Sequence, residues 1–186
     1  MKMNGSETIA ASRDAVWAGL NDPAVLKQCI PGCDSIMRDS PTTMTAKASI
    51  KLGPLKVPFK GSVTLSDLKP PESYRIDGQG QGGLAGFASG GASVKLTVIS
   101  ADETQLDYEV DAQVGGKIAM LGSRLIDSTA QSLATQFFTK FASVVKAQGP
   151  KAVKPVASAS KKASAKTTVK KSPIKAVRKA TQKNKR

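Results

Sequence analysis

Residues 103–125 decide the fold: Glu103-Thr104-Gln105-Leu106-Asp107-Tyr108-Glu109-Val110-Asp111-Ala112-Gln113-Val114-Gly115-Gly116-Lys117-Ile118-Ala119-Met120-Leu121-Gly122-Ser123-Arg124-Leu125. In the first half Leu106, Tyr108 and Val110 alternate with Asp107, Glu109 and Asp111, the pattern of a half-buried strand. Past Gly115-Gly116 the period changes. Ile118, Leu121, Leu125, Leu133, Phe137, Phe141 and Val144 recur at helical spacing, so one long amphipathic helix is expected, ending near Gln148-Gly149-Pro150.

Toward the N-terminus the period-two pattern repeats in short segments, at 34–39, 43–52, 55–68, 72–80, 91–100 and 103–114. Gly53-Pro54, Pro70-Pro71 and Ala101-Asp102-Glu103 punctuate them, and connections this short suit antiparallel hairpins, not parallel crossovers. Residues 2–9 read as a further strand. Ser12 is placed to cap a short helix carrying Val16, Trp17 and Leu20, and Asp22 to cap a second, with Pro23 at its first position. A lone Trp on such a helix is read as core. The fold class is therefore α+β: a curved antiparallel sheet wrapped on a long C-terminal helix. Helix and sheet can pack tightly at one end and part at the other, which leaves a pocket.

The formal net charge of +14 is unevenly spread over the 186 residues. Residues 1–150 carry 15 Lys/Arg against 14 Asp/Glu, whereas 151–186 carry 13 basic residues and no acid. This splits the chain into a domain over 1–148 and a tail over 149–186. The tail is built of Ala, Lys, Ser, Thr and Pro with scattered valines and no aromatic residue, a composition that cannot bury enough apolar area to order a chain, so disorder is expected. Its cations, Lys161, Lys162, Lys166, Lys170, Lys171, Lys175, Arg178, Lys179, Lys183, Lys185 and Arg186, are the expected contacts to an anionic surface. An anionic membrane fits, since each cation near it contributes about 1 kcal/mol. Nucleic acid is the alternative partner; with no aromatic to stack on bases, single-strand recognition is not expected. A flexible tail of this length reaches about 30–35 Å root-mean-square.

Several classes of chemistry drop out. The chain has no histidine, which removes the commonest general base, the base of nucleophilic triads and the commonest metal ligand together. Cys29 and Cys33 are separated by three intervening residues, a spacing unlike the usual zinc and redox pairs, and are read as reduced structural thiols. No catalytic residue and no metal ligand is assigned. Gly78-Gln79-Gly80-Gln81-Gly82-Gly83 fits a dinucleotide-binding glycine pattern formally, but a strand and not a helix follows it, so the phosphate site lacks its helix N-terminus. The stretch is read instead as a glycine-rich hairpin presenting Leu84 and Phe87 over the pocket mouth. Asp107, Glu109 and Asp111 share one strand face, read as solvated, with a basic docking partner as the sharper alternative. No segment approaches the ~18 apolar residues of a membrane span, and the N-terminus lacks a signal-peptide core, so a cytoplasmic location is expected.

Three stretches carry a family resemblance: Leu26-Lys27-Gln28-Cys29-Ile30-Pro31-Gly32-Cys33-Asp34, Phe59-Lys60-Gly61, and Lys117-Ile118-Ala119-Met120-Leu121-Gly122-Ser123-Arg124-Leu125-Ile126. With the order of elements, they make residues 1 to about 147 similar to the SRPBCC superfamily (START/Bet v1-like, helix-grip), and within it to the CoxG family of carbon monoxide dehydrogenase subunits. The resemblance implies a protein without chemistry of its own, requiring no cofactor and holding a quinone- or lipid-like apolar molecule. It further implies recruitment of a molybdenum hydroxylase to the inner face of the cell membrane. Relatives carry tails suited to membrane attachment; this one departs by being nearly all basic, which favours surface attraction over insertion.

Within the pocket, the ligand is expected beneath Leu84, Phe87, Met120, Leu121 and Leu125, with the Ser128 and Thr129 hydroxyls orienting its polar head. The aromatic later half of the helix, Phe137 to Phe141, is expected to seal the core. Two alternatives stand beside the carrier: a START-like domain whose tail binds nucleic acid, and a small hydrolase or cyclase using cavity acids.

Overall fold

The computed structural model describes residues 1–53 and 55–148. The expected tail and its eleven cations lie outside the described residues.

Seven strands, β1 (Lys2–Ile9), β2 (Cys33–Arg38), β3 (Thr43–Leu52), β4 (Leu55–Lys69), β5 (Ser73–Gln81), β6 (Phe87–Ser100) and β7 (Glu103–Gly115), form one antiparallel sheet in the order β1-β7-β6-β5-β4-β3-β2. Strands β2 to β7 are a meander, and β1 closes on β7 with Met3 opposite Val110 and Ile9 opposite Thr104. Two short helices, α1 (Arg13–Leu20) and α2 (Pro23–Cys29), carry the chain from one edge of the sheet to the other. Their capping follows the sequence: the Ser12 hydroxyl accepts from the Ala15 amide at 3.4 Å, and the Asp22 carboxylate accepts from the Ala24 amide at 2.8 Å.

The long helix α3 (Ser123–Gln148) ends where the sequence indicates but begins later than expected. Residues 117–121 form a separate tight 3₁₀ turn, and Gly122, at φ 87°, lies in the left-handed region that breaks helical continuity. A second correction concerns the glycine-rich stretch. Gly78 and Gly80 belong to β5, and β6 starts at Phe87 instead of 91, so only Gly82–Gly86 connects the two strands.

The main core lies where α1, α2 and the C-terminal half of α3 meet the sheet. Val16, Ile9, Leu106 and Phe141 are fully buried there, each stabilising the fold by about 1.5–3 kcal/mol relative to exposure. Trp17 packs against this core, in keeping with the sequence, with its ring edge-on to Tyr74 at 5.3 Å. A smaller cluster of Leu52, Val57 and Ile118 closes the other end of the sheet. Between α2 and β2 the chain turns at Gly32, at φ 69°, whose carbonyl accepts from the Ser49 amide at 2.8 Å. A Cβ at Gly32 would collide with the Ser49 carbonyl oxygen. That contact pins the Ile30-Pro31-Gly32-Cys33 corner onto β3.

Candidate ligand cavity

The concave face of the sheet is graded by side-chain size. Near the main core it presents Leu65, Tyr74, Val94, Leu96 and Leu106, all buried. Two registers on, the pairings run Val63, Gly78, Gly90, Ala112 and then Ala46, Gly61, Gly80, Ala88 across successive strands. Side chains are nearly absent from this band. Beside it, helix α3 faces the sheet with the equally small Ala130 and Ala134.

Between α3 and the part of the sheet beside this band lies a cavity of about 500 Å³, while the glycines themselves line an adjoining depression on the sheet face. Ala46, Val63, Ile76 and Ala92 line it from the sheet, Leu133 and Phe137 from α3, and Ile30 and Pro31 from the α2–β2 corner. The volume falls within the range of small-molecule sites. Among all its lining side chains only two carry a polar atom, the phenols of Tyr74 and Tyr108. Burial pushes the Tyr74 phenol far above its ordinary pKa. Burial, then the nearby Glu7 carboxylate, raises Tyr108 as well. Both remain neutral hydrogen-bond donors at physiological pH. Tyr108 stacks on Phe138 at 5.1 Å and Phe137 meets Phe138 edge-on at 5.1 Å, so this aromatic group forms a stiff wall.

Beside the cavity runs a polar cleft lined by Ser128, Thr129, Ser132 and Gln136 of α3 and by Asp34, Ser49, Lys51 and Lys56 opposite. Pro31, Ile50 and Leu133 border both spaces. This is where the end of a long ligand would meet polar groups and water.

The site expected from sequence is displaced by this geometry. Ser128 and Thr129 line the adjoining cleft and not the cavity. Leu84, Phe87, Met120, Leu121 and Leu125 lie outside the cavity lining altogether, Leu84 being 90% and Met120 85% exposed. Leu121 packs on the small end cluster, and the Leu125 side chain approaches Gly53. The cause is the late start of α3: the first helical turns lie against the end cluster, and the gap falls under Ala130 and Ala134. Phe137 and Phe138 pack against the main core as expected and also line the cavity, while Phe141 is fully buried. The sequence signal that marks the cavity is small residues at inward positions, Ala46 and Ala48 on β3, Ala92 on β6 and Ala130 and Ala134 on α3.

The acids Asp107, Glu109 and Asp111 point to the opposite, convex face, where Asp107 pairs in register with Lys95 and Asp111 with Lys2. Hydrogen bonds from Gln105 and then Ser6 hold the Asp107 carboxyl below its usual range, with Lys95 assisting. Cys29 and Cys33 are free thiols, and burial raises both, opposed by Lys140 and Lys27 respectively. Among the described residues no cluster of acids and cysteines could hold a metal, and no helix is long and apolar enough to cross a membrane.

An antiparallel sheet gripping one long C-terminal helix around an apolar hollow defines the START/Bet v1-like, helix-grip class. Within that class the chain belongs to the CoxG family of carbon monoxide dehydrogenase subunits, whose pattern it matches over residues 5–146. Among solved structures it is similar to a conserved protein from Geobacillus kaustophilus, at 32% identity and TM-score 0.75 over 80% of this chain and 97% of that one. It shares its fold with a START superfamily protein from Mycobacterium smegmatis, at 12% identity and TM-score 0.63 over 79% of this chain and 98% of that one. The same holds for the ZhuI aromatase/cyclase of a Streptomyces species, at 12% identity and TM-score 0.59 over 80% and 94%. No curated protein sequence matches the chain.

Proposed function

We propose that the chain is a non-catalytic carrier that holds a quinone- or lipid-like molecule in the concave cavity. In this reading it brings a molybdenum hydroxylase of the carbon monoxide dehydrogenase type to an anionic membrane. The observation that carries the reading is the cavity wall: it is apolar throughout but for two phenols that stay protonated. A neutral, largely hydrocarbon guest gains affinity there by burying its surface, while a charged substrate would lose its hydration without a partner. Tyr74 and Tyr108 are suited to donate to a carbonyl or ether oxygen, and the Ser128–Gln136 cleft to accommodate a polar end. The fold is shared with an aromatase/cyclase, but an acid–base reaction needs groups that change protonation near neutral pH, and the lining has none.

Family membership supports an accessory role beside a hydroxylase, and the thirteen cations of residues 151–186 supply attraction to anionic lipid. Titration of the full chain with a short-chain quinone tests the ligand assignment directly. Trp17 is the chain's single tryptophan and touches Tyr74, which lines the cavity, so a bound quinone should quench its fluorescence saturably. Unquenched Trp17 with a quinone, and equally with a long-chain lipid, defeats the assignment. For the tether, replacing the eleven cations from Lys161 to Arg186 by glutamine should abolish most binding to phosphatidylglycerol vesicles. Unchanged binding would remove the tail from the account, and tighter binding to duplex DNA than to vesicles at physiological salt would redirect it.

A further inference from the structure

The end of the sheet where α3 begins is formed by three connections: β3 to β4, β5 to β6, and β7 to α3. They are knit together. The Gly82 amide donates to the Gly86 carbonyl at 2.7 Å, and Ala85 and Leu121 pack on the buried cluster of Leu52, Val57 and Ile118. From this base four large apolar side chains project into water: Leu84 at 90% and Met120 at 85% exposure, and Leu55 and Phe87 at 48% each. A solitary exposed leucine needs no explanation, but four from adjoining connections at one pole of a domain form a feature.

Their surroundings are predominantly cationic. Residues 50–60, 80–90 and 113–126 contain Lys51, Lys56, Lys60, Lys117 and Arg124, all exposed, and no acid, with Asp34 in the cleft beside Lys51 and Lys56 and Asp127 next along α3. At the opposite pole Asp67, Glu72, Asp102 and Glu103 stand around the β4–β5 and β6–β7 turns against Lys69 and Arg13, the latter 3.7 Å from Glu72. A domain nearly neutral in total is thus polarised along the axis of its sheet.

We propose that this pole is a second membrane contact, in which Leu84 and Met120 enter the acyl region of an anionic bilayer while the surrounding lysines and Arg124 meet lipid phosphates. Projecting aliphatic tips encircled by cations match the interfacial zone of a bilayer, where apolar burial and attraction to anionic lipid add. A protein partner's interface core is depleted of charge and rich in aromatics, whereas the two most exposed side chains here, Leu84 and Met120, are aliphatic and stand among lysines. The contact gives the proposed carrier its means of loading: a guest that partitions into lipid is collected where the domain touches lipid, with Ile50 shared by the cavity and the cleft that Lys51 and Lys56 line. The surface stands on its own observations and does not require that guest.

The test uses the full chain, so that tail attraction operates in every sample. Tryptophan is placed at the tip in Leu84→Trp and, separately, Met120→Trp, and at the opposite pole in Val98→Trp, where the native residue is 50% exposed. Each variant is mixed with vesicles of phosphatidylcholine and phosphatidylglycerol, with and without brominated acyl chains, and bound protein is confirmed by sedimentation. The proposal expects a blue shift and bromine quenching for both tip variants, several-fold stronger than for Val98→Trp. Bound protein with unquenched tip tryptophans overturns it while leaving the tail tether intact, as does equal quenching at both poles. A blue shift of the tip variants on addition of a purified hydroxylase, with none on vesicles, would reassign the surface to protein docking and also overturn it. The quinone titration reads Trp17 without vesicles, so the two ideas fail separately.

Discussion

Gly61 on β4 stands directly opposite Gly80 on β5, and between them the concave face of the sheet carries no side chain at all. The two are not equivalent. A Cβ on Gly61 would lie 2.8 Å from the Gln79 carbonyl oxygen, whereas one on Gly80 would meet the Phe59 ring at an ordinary 3.6 Å. The sheet face can therefore accept a side chain on one side of the pair and not the other.

Ala92→Leu on β6, and independently Ala134→Phe on α3, should occupy the hollow and lower affinity for an apolar guest at least tenfold, with thermal unfolding midpoints held or raised. Gly61→Ala should instead lose stability, because backbone must shift. Guest titration alongside thermal denaturation separates the three outcomes; undiminished affinity in both filled variants would mean the guest sits elsewhere.

Phe141→Ala should cost about 3–5 kcal/mol in a chemical denaturation curve, since the ring is fully buried and stacked on Phe137 at 5.6 Å. Phe138→Ala enlarges a wall that already borders empty space, so its cost should be distinctly smaller and its effect on guest size preference larger.

Gly32→Ala should destabilise by about 1–3 kcal/mol, combining a left-handed φ with collision against the Ser49 carbonyl. If its denaturation midpoint matched wild type, the corner would not be pinned as described.

The buried phenol of Tyr74 sets an alkaline limit. Its folded pKa lies above the unfolded value of about 10, so the folded state holds the proton more tightly. That contribution is fully present below about pH 10 and is lost as pH rises past it. Tyr74→Phe keeps the edge contact to Trp17 and should flatten the fall in stability above about pH 10 relative to wild type, while leaving pH 6–8 unaffected by this group. Parallel curves above that pH would contradict the burial of the hydroxyl.

The strands are legible in the sequence wherever large apolar residues alternate: Thr43–Leu52 and Glu103–Gly115 follow Ile50, Leu52, Leu106 and Tyr108 closely. Between residues 78 and 90 they are not, because glycine has low strand propensity and shows no hydrophobic alternation, so a sheet interior looks like a loop. Here the ladder is held by neighbours on both sides, Gly78 between Val63 and Gly90. The existence of a pocket follows from the sequence, but its place does not. An amphipathic stripe shows which face of α3 turns inward, not which turn lies over packed side chains and which over a gap. That depends on bringing Ala130 and Ala134 opposite Ala46, Ala48 and Ala92, residues far apart in the chain, and on the break at Gly122.

Native mass spectrometry of the full chain, purified without organic solvent and compared with its Ala134→Phe variant, probes the central claim most directly. An apolar adduct of about one per chain, extractable into solvent and lost in the variant, is the result predicted. A wild-type chain that carries no adduct and acquires none when incubated with quinones or lipids would contradict the account, as would an adduct equally abundant in the filled variant.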